Sequence, residues 1–293
     1  MAELSPGARF RELLSGRPLI LPGVFNAITA QTARAAGFPA VYMSGAGVTN
    51  SLTGYPDIAL LTLTEMAQQA AYVARAARVP VIADADTGYG EIHNVMRAVE
   101  ELERAGVAGI HLEDQTAPKR CGHLDGKQVI STPEMCRKIR AAVRARNDAS
   151  FFLIARTDAR GSLGLDHAID RALRYLEAGA DAIFAESLES EAEYAQFARC
   201  VDGPLVANMT EFGKTPYLTA AQFGELGFDI VLFPQTAFRV MMRSAEEVYK
   251  ELYRSGTQVD LLDRMQTRAE LYALIDYPAY QRLDSELASE VSE

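Results

Sequence analysis

Four stretches of the chain repeat one pattern of apolar and polar positions. ARAAGFPAVYMSG (33–45), ERAGVAGIHLED (103–114), LEAGADAIFAES (177–188) and GELGFDIVLFP (224–234) each close a helix, pass through a glycine, cross a short apolar block and end on polar residues. Gly37, Gly106, Gly179 and Gly227 stand just past a helix end, where a left-handed backbone favours a residue without Cβ. The apolar blocks are nearly continuous rather than alternating, as in strands covered on both faces.

Four further blocks fill the gaps: LILPGV (19–24), VPVIADAD (79–86), SFFLIARTD (150–158) and GPLVANM (203–209). Amphipathic helical stretches such as 91–105 and 165–178 separate most of them. Eight strands alternating with helices over roughly 235 residues predict an α/β fold, a (β/α)8 TIM-type barrel. A doubly wound sheet, the alternative, usually has fewer strands and a glycine-rich phosphate turn after the first, and PGVFNAIT is not such a turn. Past the eighth block the chain reads as amphipathic helices in excess of what a bare barrel needs. The expectation is one domain over 1–293, with a barrel over about 15–255 and a C-terminal helical extension over about 256–293 that packs on a neighbouring subunit.

Composition narrows the partners. The chain has 293 residues, 48% hydrophobic and 23% charged, ordinary for a globular protein, with a net charge of −10. An acidic chain is a poor polyanion binder, so no nucleic acid is expected, though the basic pair at 119–120 is a local site for a small anion. Three cysteines give no disulfide framework and suit a reducing compartment. The N-terminus lacks a secretory apolar region, and no apolar run reaches the ~18–20 residues that span a bilayer, so no membrane partner and a cytoplasmic location are expected.

In this barrel, chemistry sits where strands end, and side chains alternate faces along each strand. Parity puts Ser44 at the mouth with Tyr42 below it, then Asp84 and Asp86 on one face. It puts His111 and Glu113 on one face with Asp114 on the other, followed by Arg156, Glu186 and Asn208. Inward carboxylates are costly unless paired or bound to a cation. Asp84, Asp86 and Glu113 offer hard oxygen ligands, which suit Mg²⁺ with Mn²⁺ as a substitute; zinc would want histidine or cysteine, and the four histidines show no ligand spacing.

KRCGHLDGK (119–127) follows the fourth block directly and so lies over the mouth. Lys119, Arg120 and His123 crowd Cys121, and nearby cations lower a thiol's proton affinity. Such a thiol can exchange a proton or act as a nucleophile. Cys136 and Cys200 have no partner motif and read as small hydrophobes. None of the five lysines ends an apolar run, which argues against a Schiff-base aldolase.

With YMSGAG (42–47), GYPD (54–57), DADTGYG (84–90), HLEDQ (111–115), PKRCGHLDGK (118–127), ARTDA (155–159), FAES (184–187), NMTEFGKTP (208–216) and MQTRAELY (265–272), the chain resembles the isocitrate lyase/phosphoenolpyruvate mutase superfamily over nearly its whole length. The cysteine segment marks the lyase branch. The resemblance implies Mg²⁺-dependent retro-aldol cleavage of 2-methylisocitrate to pyruvate and succinate, a step of the 2-methylcitrate cycle in propionate catabolism. Cleavage of 2,3-dimethylmalate or of a related 2-hydroxy acid, or oxaloacetate or phosphonopyruvate hydrolysis, is the alternative.

The resemblance further implies that Asp84 and Asp86 hold the metal, supported by Asp57 and Glu113. Ser44, Gly45, Ala46 and Arg156 would contact the 2-oxo-acid end of the substrate. Gly122, His123, Asn208, Met209, Thr210 and Arg239 would take the succinate end, with Glu186 near it. Cys121 would be the general acid, with Tyr42 and His123 as further catalytic groups, and Arg268 would reach in from the C-terminal helices. Phe184 and Leu232 match positions that are smaller in lyases accepting the extra methyl than in isocitrate lyase. Ala46, Leu124 and Ala185 replace the family's usual Gly, Arg and Pro. The family exchanges a C-terminal helix between subunits, so a homotetramer is expected.

Overall fold

The computed structural model describes residues 4–16, 18–120, 122 and 126–290. Eight parallel strands close on themselves in sequence order: β1 (Leu19–Val24), β2 (Val41–Met43), β3 (Val81–Asp84), β4 (Gly109–Glu113), β5 (Phe152–Thr157), β6 (Ala182–Ala185), β7 (Leu205–Asn208) and β8 (Ile230–Phe233), with β8 pairing back onto β1. The four glycines of the repeated phrase all have positive φ, between 91° and 107°. Each therefore stops its helix and turns the chain into the next strand.

Two layers of apolar packing hold the barrel. Leu21, Ile82, Ile154, Val206 and Ile230 fill its interior with Tyr42 and Phe184, and Phe10 of helix Pro6–Leu13 joins them, its ring 5.0 Å from that of Phe152. A second layer packs the outward strand residues against the helices. Several helices start with reciprocal capping boxes, among them Thr62 with Glu65, Ser131 with Glu134 and Thr219 with Gln222. Each such cap is worth about 1 kcal/mol.

Register sets the mouth. Asp84 pairs with His111, Glu113 with Arg156, and Arg156 with Phe184, so polar side chains on neighbouring strands stand at one level. Two features were not legible in the hydrophobic pattern. Asp86 lies beyond the end of β3 with φ 47°, so it joins Asp84 by a turn rather than by strand alternation. The segment after β2 is a helix, Gly45–Thr53, despite its glycines, because Ser44 caps it by accepting from the Gly47 amide.

The chain forms two compact units, one ending at Phe238 and the other starting at Arg239. The second contains most of helix Thr236–Ser255, a 3-10 turn at Val259–Arg264 and helices Arg268–Leu274 and Tyr277–Glu290. Among the described residues, no helix is long and apolar enough to cross a membrane.

Candidate active site

The strand ends enclose a cleft holding about 530 Å³ of empty space, part of it open solvent, within the usual range for small-ligand sites. Tyr42, Ser44, Ala46, Asp57, Asp84, Arg156, Glu186, Asn208 and Thr210 all line it, with Phe184 and Leu232 as its apolar wall. Lys119 and Gly122 of the cysteine segment also face it.

One side of the cleft is acidic. Lys119 places its ammonium 2.7 Å from Asp57 Oδ1 and 2.6 Å from Asp86 Oδ1, and only 3% of the residue is exposed. Burial pulls Lys119 toward neutrality, but Asp86, Asp84, Glu113 and Asp57 outweigh it and hold the proton far more tightly than usual. Burial also opposes the charge of Asp84, yet His111, Lys119 and the Asp86 amide bring it down to about 2. Asp86 is pushed up to about 6, by burial first and then by Asp84 and Asp57 against the pull of Lys119. Burial holds Glu113 well above the usual carboxylate range, and neither of its oxygens has a hydrogen-bond partner.

Tyr42 Oη lies 2.8 Å from His111 Nε2 and 3.3 Å from Asp84 Oδ2, and burial together with Asp84 keeps this phenol protonated. Burial lowers the proton affinity of His111 against the pull of Asp84, whose Oδ1 lies 3.3 Å from Nε2. Gly45 is required at its position, because a Cβ would stand 2.5 Å from Asp84 Oδ2. The helix it starts therefore presents its N-terminal amides beside the acidic group, a natural seat for a carboxylate.

Among the described residues no three metal-ligating side chains close on one point, so a cation here would rest on few protein ligands and on water, as Mg²⁺ commonly does. The chemistry of the donors suits it: all are hard oxygens, both Glu113 oxygens are buried without a hydrogen-bond partner, and Lys119 occupies the place of positive charge among the carboxylates. Asp84 and Asp86 are the direct ligand candidates, with Asp57 and Glu113 around them.

The other side is basic and tightly paired. Arg156 forks onto Asp158 at 2.9 and 3.1 Å, reaches Glu186 at 3.1 Å and Glu113 at 3.4 Å, and lies over the Phe184 ring. Asn208 Nδ2 donates to Glu186 at 3.3 Å. Asp114 points the other way, as strand parity requires. It accepts from Tyr175 and Thr157 at 2.8 Å and from Arg171 at 3.0 Å, tying the barrel to helix Leu165–Glu177.

Of the residues singled out from sequence, Cys121 and His123 lie outside the described residues. Arg239 and Arg268 belong to the C-terminal unit. The side chain of Met209 packs in the outer apolar layer, opposite in parity to Asn208 and Thr210. The expectation for the other cysteines divides, since Cys136 is buried and Cys200 exposed. Sequence reasoning missed Asp158, Ser187 and the ion pairs of Lys119 and Lys127. Asp158 was within reach, being two residues past Arg156 and so on the same face.

Residues 10–253 match the family model described as phosphoenolpyruvate phosphomutase. The chain is 52% identical over 289 residues to a 2-methylisocitrate lyase of Aeropyrum pernix, covering 98% of this chain and 93% of that one. Among solved structures it resembles 2,3-dimethylmalate lyase, a member of the PEP mutase/isocitrate lyase superfamily, with a TM-score of 0.91 and 35% identity over 98% of this chain and 96% of the other. It also resembles a phosphonopyruvate hydrolase in complex with oxalate and Mg²⁺, with a TM-score of 0.87 and 30% identity over 96% and 99% of the two chains.

Proposed function

The chain belongs to the phosphoenolpyruvate mutase/isocitrate lyase superfamily, and we propose that within it the protein is a carbon–carbon lyase that cleaves 2-methylisocitrate to pyruvate and succinate. The observation that carries this reading is the position of Gly122. It follows Cys121 directly and sits against Arg156 and Glu186, on the same cleft as Asp84. A proton donor next to Gly122 would be near a substrate held at the mouth, which supports the reading.

Asp84 and Asp86 would hold Mg²⁺, with Asp57 and Glu113 supporting that group. The ion would supply Lewis acidity toward the 2-hydroxy acid end of the substrate. Arg156 and the amides at the start of helix Gly45–Thr53 would bind the adjoining carboxylate. Glu186, Asn208 and Thr210 would orient the succinate end by hydrogen bonds. A base would take the hydroxyl proton: either a carboxylate of the acidic side, or Tyr42 as it hands its own phenol proton to His111 Nε2, 2.8 Å away. The C2–C3 bond then breaks, pyruvate forms, and its former bonding pair moves onto the succinate fragment as an aci-carboxylate. Cys121 Sγ protonates that carbon and leaves succinate. The C-terminal helices would assemble the enzyme as a homotetramer, a reading supported by their exposed apolar side chains.

The test is pyruvate release from 2-methylisocitrate, 2,3-dimethylmalate and isocitrate side by side, with the second product identified and EDTA as a control. Pyruvate with succinate from 2-methylisocitrate, lost on chelation, is expected. Pyruvate with propionate from dimethylmalate alone would move the assignment to that neighbour's activity. Release unaffected by EDTA would remove the metal from the scheme.

A further inference from the structure

One backbone carbonyl in the cleft is held more firmly than any substrate-binding role requires. Gly122 O accepts from Lys127 Nζ and, at 2.7 Å, from Ser187 Oγ. Both donors are buried, Lys127 at 7% exposure and Ser187 at 2%. Both are themselves anchored. Lys127 pairs with Asp158 Oδ1 at 2.9 Å, and Asp158 is fully buried. Ser187 donates its amide to Glu186 Oε1 at 2.9 Å and holds φ 59°, a conformation that residues other than glycine seldom adopt without a reason elsewhere. The Gly122 backbone is also wedged in place, since a Cβ on it would lie 2.5 Å from Arg156 Nη2 and 2.5 Å from Glu186 Cγ.

A buried ion pair adds little net stability over an apolar replacement of the same shape. What Lys127 and Asp158 add here is a directed donor. The same Asp158 that aims Lys127 at Gly122 also fixes the fork of Arg156. One carboxylate thereby sets the substrate-binding guanidinium and the segment bearing the thiol in a common frame.

We infer that Lys127 and Ser187 are positioning residues for this reaction, which hold the Gly122 carbonyl in place at the cleft. Neither touches the reacting atoms; both act through the peptide next to Cys121. The kinetic half of the inference rests on Cys121 being the proton donor, whereas the structural half stands without it.

Two variants separate this hold on Gly122 from general damage. Lys127→Met keeps the aliphatic stem and removes the donor. Ser187→Gly removes the hydroxyl at a backbone conformation that glycine adopts freely. In full-length protein, tryptic cleavage after Arg120 should accelerate about tenfold or more in both, as expected for loss of a hydrogen bond to a buried acceptor, while the rest of the barrel stays protected. Lys127→Arg should restore protection in part. In the pyruvate assay both variants should lose roughly tenfold to a hundredfold in kcat with KM within about twofold, the signature of an interaction that matters after substrate binds. Cleavage after Arg120 at the wild-type rate in both variants, or fragmentation spread over the whole barrel, would overturn the inference. If the wild-type protein released no pyruvate, the functional reading would fall, and the cleavage rates would still decide the hold on Gly122.

Discussion

Lys119→Met tests the acidic side of the cleft. The substitution keeps most of the buried stem and removes the one charge that sits 2.7 Å from Asp57 and 2.6 Å from Asp86. Unit charges at such distances attract by roughly 6 kcal/mol at an effective dielectric of about 20, before desolvation is subtracted. Removing one partner of a buried pair costs about 3–5 kcal/mol, because the other partner stays buried and uncompensated. At about 2–3 °C per kcal/mol for a chain of this size, the metal-free variant should melt roughly 6–15 °C below wild type. Added Mn²⁺ at a hundred times the variant's Kd should recover about 2.7 kcal/mol of that loss, measured against the metal-free wild type. Binding itself should tighten at least about tenfold, because no ammonium has to be displaced. Differential scanning fluorimetry with and without Mn²⁺, and titration of free Mn²⁺ by electron paramagnetic resonance, read the two effects separately. A metal-free variant with wild-type Tm, or one that binds Mn²⁺ no more tightly, would refute the view of Lys119 as the resident counter-charge.

Three further outcomes are expected. Cys121→Ser should abolish pyruvate release while calorimetric substrate affinity stays near wild type; equal loss of both would contradict the acid role. Burial, reinforced by Asp84 and Asp57, pushes Asp86 up to about 6, so the metal-free native state holds more protons than the unfolded chain between about pH 4 and 6. Its Tm should therefore fall as pH rises through that window while Mn²⁺ affinity rises, and Asp86→Asn should flatten the Tm slope. If the helices assemble the proposed tetramer through Tyr249 and Tyr253, 71% and 96% exposed on helix Thr236–Ser255, their joint change to aspartate should lower the mass seen in sedimentation.

The barrel was legible because its information is local. Continuous apolar blocks and a left-handed glycine after each helix are properties of ten or twelve consecutive residues, and they survive into the structure unchanged. Strand parity carried the site equally far: Asp84, Glu113, Arg156, Glu186 and Asn208 face inward, and Asp114 faces out. Parity failed where the strand had already ended. Asp86 reaches Asp84 through a turn, its amide donating to Asp84 Oδ1 at 3.0 Å, and no alternation rule describes that. Met209, named from the family pattern alone, has its side chain in the outer apolar layer, as parity with Asn208 requires. The lysines were read only as a basic neighbourhood for a thiol. Their partners Asp57, Asp86 and Asp158 lie 62, 33 and 31 residues away in sequence, and a flexible four-carbon stem gives no periodic signal of where it will end.

Charge balance at the mouth gives the proposed metal a second role. Asp57, Asp84, Asp86, Asp158 and Glu186 stand around the cleft, with Glu113 held well above the usual carboxylate range by burial, against Lys119, Arg120, Lys127 and Arg156. Arg156 already serves three of those carboxylates, and Lys119 serves two. A tricarboxylate adds three negative charges to a site that is partly dry, where repulsion is weakly screened. The barrel's described side chains do not supply the compensating charge. A dication on Asp84 and Asp86, as proposed, would supply part of it. Metal dependence is on this argument a consequence of that deficit. A dicarboxylate such as dimethylmalate carries one charge fewer and would need correspondingly less from that source. Selectivity between the two substrates therefore turns more on a carboxylate and its missing cation than on a methyl group against Phe184 or Leu232, which a hydrophobic pocket discriminates by only about 1–3 kcal/mol.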